Sequence, residues 1–270
     1  MKKNLLVVAF FAAVIATNAQ APKVPSGLKF KVLTESNNVR SLSFMGQDVE
    51  LSVGTQMHEI CELTSVSADG YHLSSAITRI NGYANAMGTN QTFDSDNANK
   101  KLFLLNDEQL KVLKKPIDYT IEKGKVTTAS AAGSDILNTI LFQLNGSSDQ
   151  AKYFLTLPAA SLKPAYQWSS AISTKDAMAE SLYVITEINA TDINVNVLTN
   201  LKLNTTLNFS GMNFKDSTQG SIKAKRIYDA KTGLLKSETG TGGLKGTINL
   251  FGQEAPIDLK ITTKSSVVPM

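Results

Sequence analysis

In 270 residues the sequence holds one cysteine, Cys61, one tryptophan, Trp168, and two histidines, His58 and His72. A single thiol excludes an intrachain disulfide, and so small a set of thiols and imidazoles is too few for the four-ligand cage of a structural zinc site. His58 and Cys61 lie three apart, which puts them on opposite faces of a strand. Aromatic residues make up 7%, lean for the stacking platforms of enzymes that cleave sugars. No Gly-x-Ser-x-Gly elbow is present. Gly240-Thr241-Gly242-Gly243 lacks the downstream Lys-Ser/Thr of a phosphate loop and reads as a flexible hairpin tip. The carboxylates Glu59, Glu62, Asp216 and Asp229 offer no pattern that separates a catalytic pair from chance. The net charge of +4 falls to +2 if Lys2 and Lys3 leave with a leader, too little for a phosphate-binding surface. The expectation from these absences is a non-catalytic chain with no cofactor, no metal and no nucleic-acid partner, with a hydrolase whose carboxylates the sequence does not single out as a further alternative.

What is present is a leader and a polar, β-leaning body. Lys2-Lys3 precedes an apolar stretch over residues 5–16 and the small residues Thr17-Asn18-Ala19, the layout of a signal peptide at residues 1–19. The stretch is too short to span a bilayer, which takes about 20 apolar residues. No integral membrane segment is expected after cleavage, and the protein is read as exported, periplasmic or extracellular. Ser, Thr and Asn together number 70 against 50 charged residues, and such side chains suit turns and the wet faces of sheets.

The strongest pattern covers residues 193–209. Odd positions read Ile193, Val195, Val197, Thr199, Leu201, Leu203, Thr205, Leu207 and Phe209, while even positions are mostly Asn, Lys and Thr. Strict alternation marks a half-buried antiparallel strand. Its length exceeds the usual 3 to 10 residues, so it either curves around a core or is split by a bulge. Strands over 182–188, 221–228, 234–239, 244–251 and 257–264 complete a meander, with Asp229-Ala230-Lys231-Thr232-Gly233 as a turn that needs a left-handed glycine. The first third repeats the plan more faintly: strands at 57–66 and 71–83, a turn at Ser67-Ala68-Asp69-Gly70, and Gly82 and Gly88 as bends. With Asp69-Gly70 as a two-residue turn, His58 faces Asn81 and His72 faces Ser67. Asp94-Ser95-Asp96 has oxygen ligands in alternation but no closing glutamate, and reads as a turn rather than a calcium loop.

Residues 106–115 carry Asp107-Glu108 at one end and Lys114-Lys115 before Pro116 at the other, the charge order a helix dipole favours. Residues 136–144 place Ile136, Leu137, Ile140, Leu141 and Leu144 on one stripe that should pack on a sheet. The chain divides into a leader, an N-terminal β-meander at 20–105, a helical insert and linker at 106–165, and a C-terminal β-meander at 166–270. The last three are expected to form one compact unit, with a duplication of the two meanders left open.

The Phe93-Asp94-Ser95-Asp96 turn, Phe154-Leu155-Thr156-Leu157-Pro158, Tyr166-Gln167-Trp168 and the Tyr228-Asp229-Ala230-Lys231-Thr232-Gly233 hairpin resemble an uncharacterised family of exported bacterial β-rich proteins. Its layout is similar to that of the lipoprotein carriers, whose curved antiparallel sheet is closed by helices around an apolar cavity. The resemblance implies a mostly β fold of curved antiparallel sheets, a half-barrel or rolled meander, with a small helical insert. By analogy with that layout, the leading expectation is an exported protein that binds an apolar or lipidic ligand on the concave face, along the alternating row Ile193, Val195, Val197, Leu201, Leu203, Leu207 and Phe209. The alternative is a structural or interaction module of the cell envelope that engages a protein or glycan.

Overall fold

The structure is a computed structural model that describes residues 22–44, 46–67, 70–86, 88–97, 107–130, 134–209, 212–250 and 252–270. The leader lies outside them. The elements run β1 (Lys29–Phe44), β2 (Gln47–Val66), β3 (Gly70–Ala86), β4 (Thr89–Asp94), α1 (Asp107–Val112), β5 (Ile117–Glu122), β6 (Lys125–Ala129) and α2 (Ser134–Asn145). Two 3-10 turns, Gln150–Tyr153 and Ala159–Ser161, lead to β7 (Gln167–Ser173), β8 (Ala177–Ile188), β9 (Asp192–Phe209), β10 (Met212–Asp229), β11 (Leu235–Leu250) and β12 (Gln253–Pro269). The strands make one antiparallel sheet in the order β6-β5-β3-β2-β1-β12-β11-β10-β9-β8-β7, with β4 paired to β3. The chain begins mid-sheet, meanders to the β6 edge and crosses to the β7 edge through α2. It then meanders back until β12 pairs with β1, from Phe30↔Pro269 to Leu42↔Ile257.

This sheet curls into a nearly closed barrel-like form. One contact shows why it must curl. Arg40 on β1 and Asp216 on β10 meet at 3.3 Å although β12 and β11 lie between them. Three strand spacings on a flat sheet are about 14 Å, more than the two side chains span. Glycines permit the curl: a Cβ at Gly220 would meet the Gly243 carbonyl, and one at Gly242 the Ser221 carbonyl. Gly240-Thr241-Gly242-Gly243 is therefore not the hairpin tip expected. It lies inside β11, paired with Ser221 to Ala224, because a tightly coiled strand pair admits no side chain there.

The alternation over 193–209 forms one strand, β9, in unbroken register with β10; the register shift sits on its other partner, β8, between Ile185 and Glu187. In the first half, shifts on β2 at His58/Glu59 and Leu63/Ser65 place His58 opposite Arg79 and His72 opposite Ser65, not Asn81 and Ser67. Gly82 continues β3 instead of bending it, whereas Gly88 takes φ +76. The segment 106–165 holds α1 and α2 but also the hairpin β5–β6. Gly233 has φ +71 and donates its N–H to the Asp229 carbonyl, the left-handed close that the turn requires.

Candidate ligand-binding face

Alternation sends Ile193, Val195, Val197, Thr199, Leu201 and Leu203 of β9 to the inner face. Ile193, Val195 and Val197 are buried in the main apolar cluster with Tyr153, Phe154 and Tyr228. Leu201 and Leu203 join a second cluster with Phe142, Ile222 and Leu259. Leu207 and Phe209 belong to β9, but their side chains lie outside the described set. The inner face carries an occupant, α2. Leu137, Ile140, Leu141 and Leu144 enter the first cluster and Phe142 the second, so the helix is buried on more than the one stripe its sequence offered.

The concave face also has a polar stripe. Inward positions of β1 read Thr34, Ser36, Asn38 and Arg40, all buried. Ser36 and Asn38 donate to the Leu144 carbonyl at 2.6 and 3.0 Å, satisfying a C-terminal carbonyl of α2 that has no partner within the helix. Gly146, with φ +67, ends the helix against Ile222 and Ile261. On either side of it, Asn145 Oδ1, Ser148 Oγ and Gln150 Oε1 are buried without a hydrogen-bond partner among the described residues, each at a cost of about 1–3 kcal/mol.

From this neck the chain is clamped by charge to the C-terminal wall, the strands β7 to β12, with β1 to β6 forming the N-terminal wall. Arg226 on β10 donates to Asp149 at 2.8 Å and to Glu238 on β11 at 2.5 Å, and Lys152 reaches Glu238 at 3.4 Å. Tyr183 donates to Asp149 at 2.9 Å and stacks on Trp168 at 4.9 Å. Burial pulls Glu238 towards its neutral form, but Lys152 and Arg226 overcome it and hold its pKa down at about 2. Burial likewise opposes the Arg226 charge, and Glu238, Tyr228 and Asp149 outweigh it. In the N-terminal wall Glu59 is buried with neutral donors, Tyr153 at 2.5 Å, Ser75 and Cys61 at 3.5 Å. Burial first, then the Glu59 carboxylate, pushes the Cys61 thiol well up, which makes it unreactive.

The four carboxylates singled out in the sequence stay apart in role: Glu59 is interior, Glu62 pairs with Lys29, Asp216 with Arg40, and Asp229 accepts from Thr232. Asp94 and Asp96 are engaged by Arg79 and Lys114, cations where a calcium loop would need an ion. Among the described residues no three His, Cys, Asp or Glu side chains are placed to hold a metal. The interior charges Arg40, Arg226 and Glu238 went unnoticed in the sequence. The available signal was parity, since Arg226 shares its strand face with Ile222 and Tyr228 while Lys223 and Lys225 do not.

On the outer face, grooves follow the C-terminal wall. One of about 970 Å³ is lined by Met178, Glu180, Lys202, Lys245, Asp258 and Lys260 among others. A neighbour of about 580 Å³ is lined by Leu182, Val184, Leu198, Lys223 and Lys225.

The sequence matches no protein-family model and no curated protein. Among solved structures the chain is similar to lipovitellin, from a study of its lipid–protein interactions, at 12% identity and a TM-score of 0.55 over 91% of this chain. It spans only 25% of that chain's length. A Pseudomonas putida F1 outer membrane channel aligns over 92% of this chain and 98% of its own, at 8% identity and a TM-score of 0.33. The likeness to lipovitellin is one of fold: a large, curved, antiparallel sheet.

Proposed function

We propose that this is a non-catalytic exported protein that binds an apolar or lipidic ligand on the concave face, along Ile193, Val195, Val197, Leu201, Leu203, Leu207 and Phe209, with α2 giving way to the ligand. The observation that carries the reading is the nature of the occupant. An apolar helix fills a nearly closed sheet, and its neck at 145–150 leaves buried polar atoms unpaired, a local cost that favours opening of the neck. The lipovitellin likeness supports it, since that structure was studied for its lipid–protein interactions. The leader at 1–19 supports export to the periplasm or cell exterior.

Protein purified without detergent and protein refolded from denaturant should differ in native mass by a bound apolar molecule. The refolded form should take up a fluorescent fatty acid, and Phe142→Ala, which loosens α2, should take up more. Equal masses with no uptake by either form would end the carrier reading.

A second reading, an envelope interaction module, rests on the β7 edge. Gln167–Ser173 ends the sheet with no charge or proline to block pairing with another strand. Introducing Lys at Ser169 should abolish any partner capture through that edge and leave fatty acid uptake intact.

A further inference from the structure

The outer faces of the two walls differ in charge. Along the C-terminal wall, Lys202, Lys223, Lys225, Lys245 and Lys260 line the two grooves against only Glu180 and Asp258. On the strands and the β5–β6 turn of the N-terminal wall the exposed charges are mixed, Glu35, Asp48, Glu50, Asp118 and Glu122 against Lys29, Lys31, Lys123 and Lys125. Strand register explains why the lysines gather. Lys202 lies opposite Gln219, Gln219 opposite Lys245, and Lys245 opposite Asp258. Two rows further, Leu198 lies opposite Lys223 and, on its other side, Leu182. Met178, Leu182 and Leu198 stand 48%, 41% and 38% exposed in and beside these rows.

Basic side chains alone fit any polyanion. Exposed aliphatic side chains set between them fit a surface that offers anionic headgroups with acyl chains beneath. We propose that this wall docks the protein onto the anionic face of a lipid bilayer, the lysines at headgroup level and Met178, Leu182 and Leu198 at its apolar margin. The contact is peripheral: the outward positions of β9 read Asn196, Leu198, Asn200, Lys202 and Asn204, the reverse of the apolar band of a membrane-spanning barrel. This inference does not rest on the concave-face reading, because the grooves lie on the opposite side of the sheet.

The test is sedimentation with vesicles of phosphatidylglycerol and phosphatidylcholine in equal parts, and with phosphatidylcholine alone. The wild-type protein should bind the mixed vesicles, lose them as salt rises, and ignore the neutral ones. Lys223→Glu with Lys225→Glu should weaken binding by at least about tenfold. Lys31→Glu with Lys125→Glu, the same change of net charge on the other wall, should leave it within about twofold. Leu182→Ser with Leu198→Ser should reduce the binding that survives salt. All four lysines are exposed, and circular dichroism checks that each variant folds. No binding by the wild type, equal binding to neutral vesicles, or equal losses from both lysine pairs would overturn the proposal.

Discussion

Two buried sites, one in each wall of the sheet, hold charge in different ways. The C-terminal wall buries Arg226 with Glu238, Asp149 and Lys152, so opposite charges neutralise one another. The N-terminal wall buries Glu59 among hydroxyl and thiol donors with no cation bonded to it. An ion pair fails when either member is lost, because the survivor is stranded in a low-dielectric interior. A carboxyl held by neutral donors needs only an acceptor of similar shape. The C-terminal arrangement also ties the crossover to the wall, since Asp149 and Lys152 sit in the segment that leaves α2.

The largest expected effect separates these two sites. Arg226→Met should destabilise the protein by about 3–5 kcal/mol in urea unfolding, whereas Glu59→Gln, which keeps a carbonyl for Tyr153, should cost about 1–2 kcal/mol. Equal losses would erase the distinction.

Acid sharpens the same comparison. Glu238 has a folded pKa of about 2 against an ordinary 4.5. Between these values the unfolded chain binds the extra proton, so stability rises with pH there. The contribution is complete above pH 4.5 and is lost as pH falls towards 2. Unfolding curves across that window should slope downward with acid, and Glu238→Gln should flatten the slope.

Next in size is the C-terminal wall's clamp on the crossover at Gly233. Its carbonyl accepts from Leu155 N–H at 2.9 Å, and a Cβ there would stand 2.9 Å from Pro22 and 3.0 Å from the Leu155 carbonyl. Gly233→Ala should cost about 1–3 kcal/mol, from positive φ and crowding together. A cost no greater than that of an alanine at the exposed Gly88 turn, φ +76 with open space around it, would show that the clamp carries no load. The smallest effect is expected on the wet face: Asn204→Asp should change stability by no more than about 0.5 kcal/mol, whereas Leu203→Ala one residue away should cost about 2–5 kcal/mol.

Much of this fold was legible locally. The alternation over 193–209 specified a strand and its inward side, Asp229 to Gly233 specified a turn, and the Ile136-to-Leu144 stripe specified a helix that packs on a sheet. Each rests on a period of 2 or 3.6 residues, or on one glycine's conformational range, and these depend on neighbours in sequence. The inward side of Ile193, Val195, Val197, Leu201 and Leu203 was legible for the same reason, though not what they meet.

Tertiary structure decided the rest. Gly240 to Gly243 carry turn residues, and only the approach of β10 makes them strand. Arg226 and Glu238 belong together because β10 lies beside β11, while Asp149 reaches them from a crossover 77 residues away from Arg226 in sequence. The filling of the concave face by α2, the join of β1 to β12 and the division of the outer surface into a basic and a mixed-charge wall arise the same way. Contacts between distant segments have no period in sequence, so a sequence reveals which residues face inward, but only the closed sheet determines what they meet there.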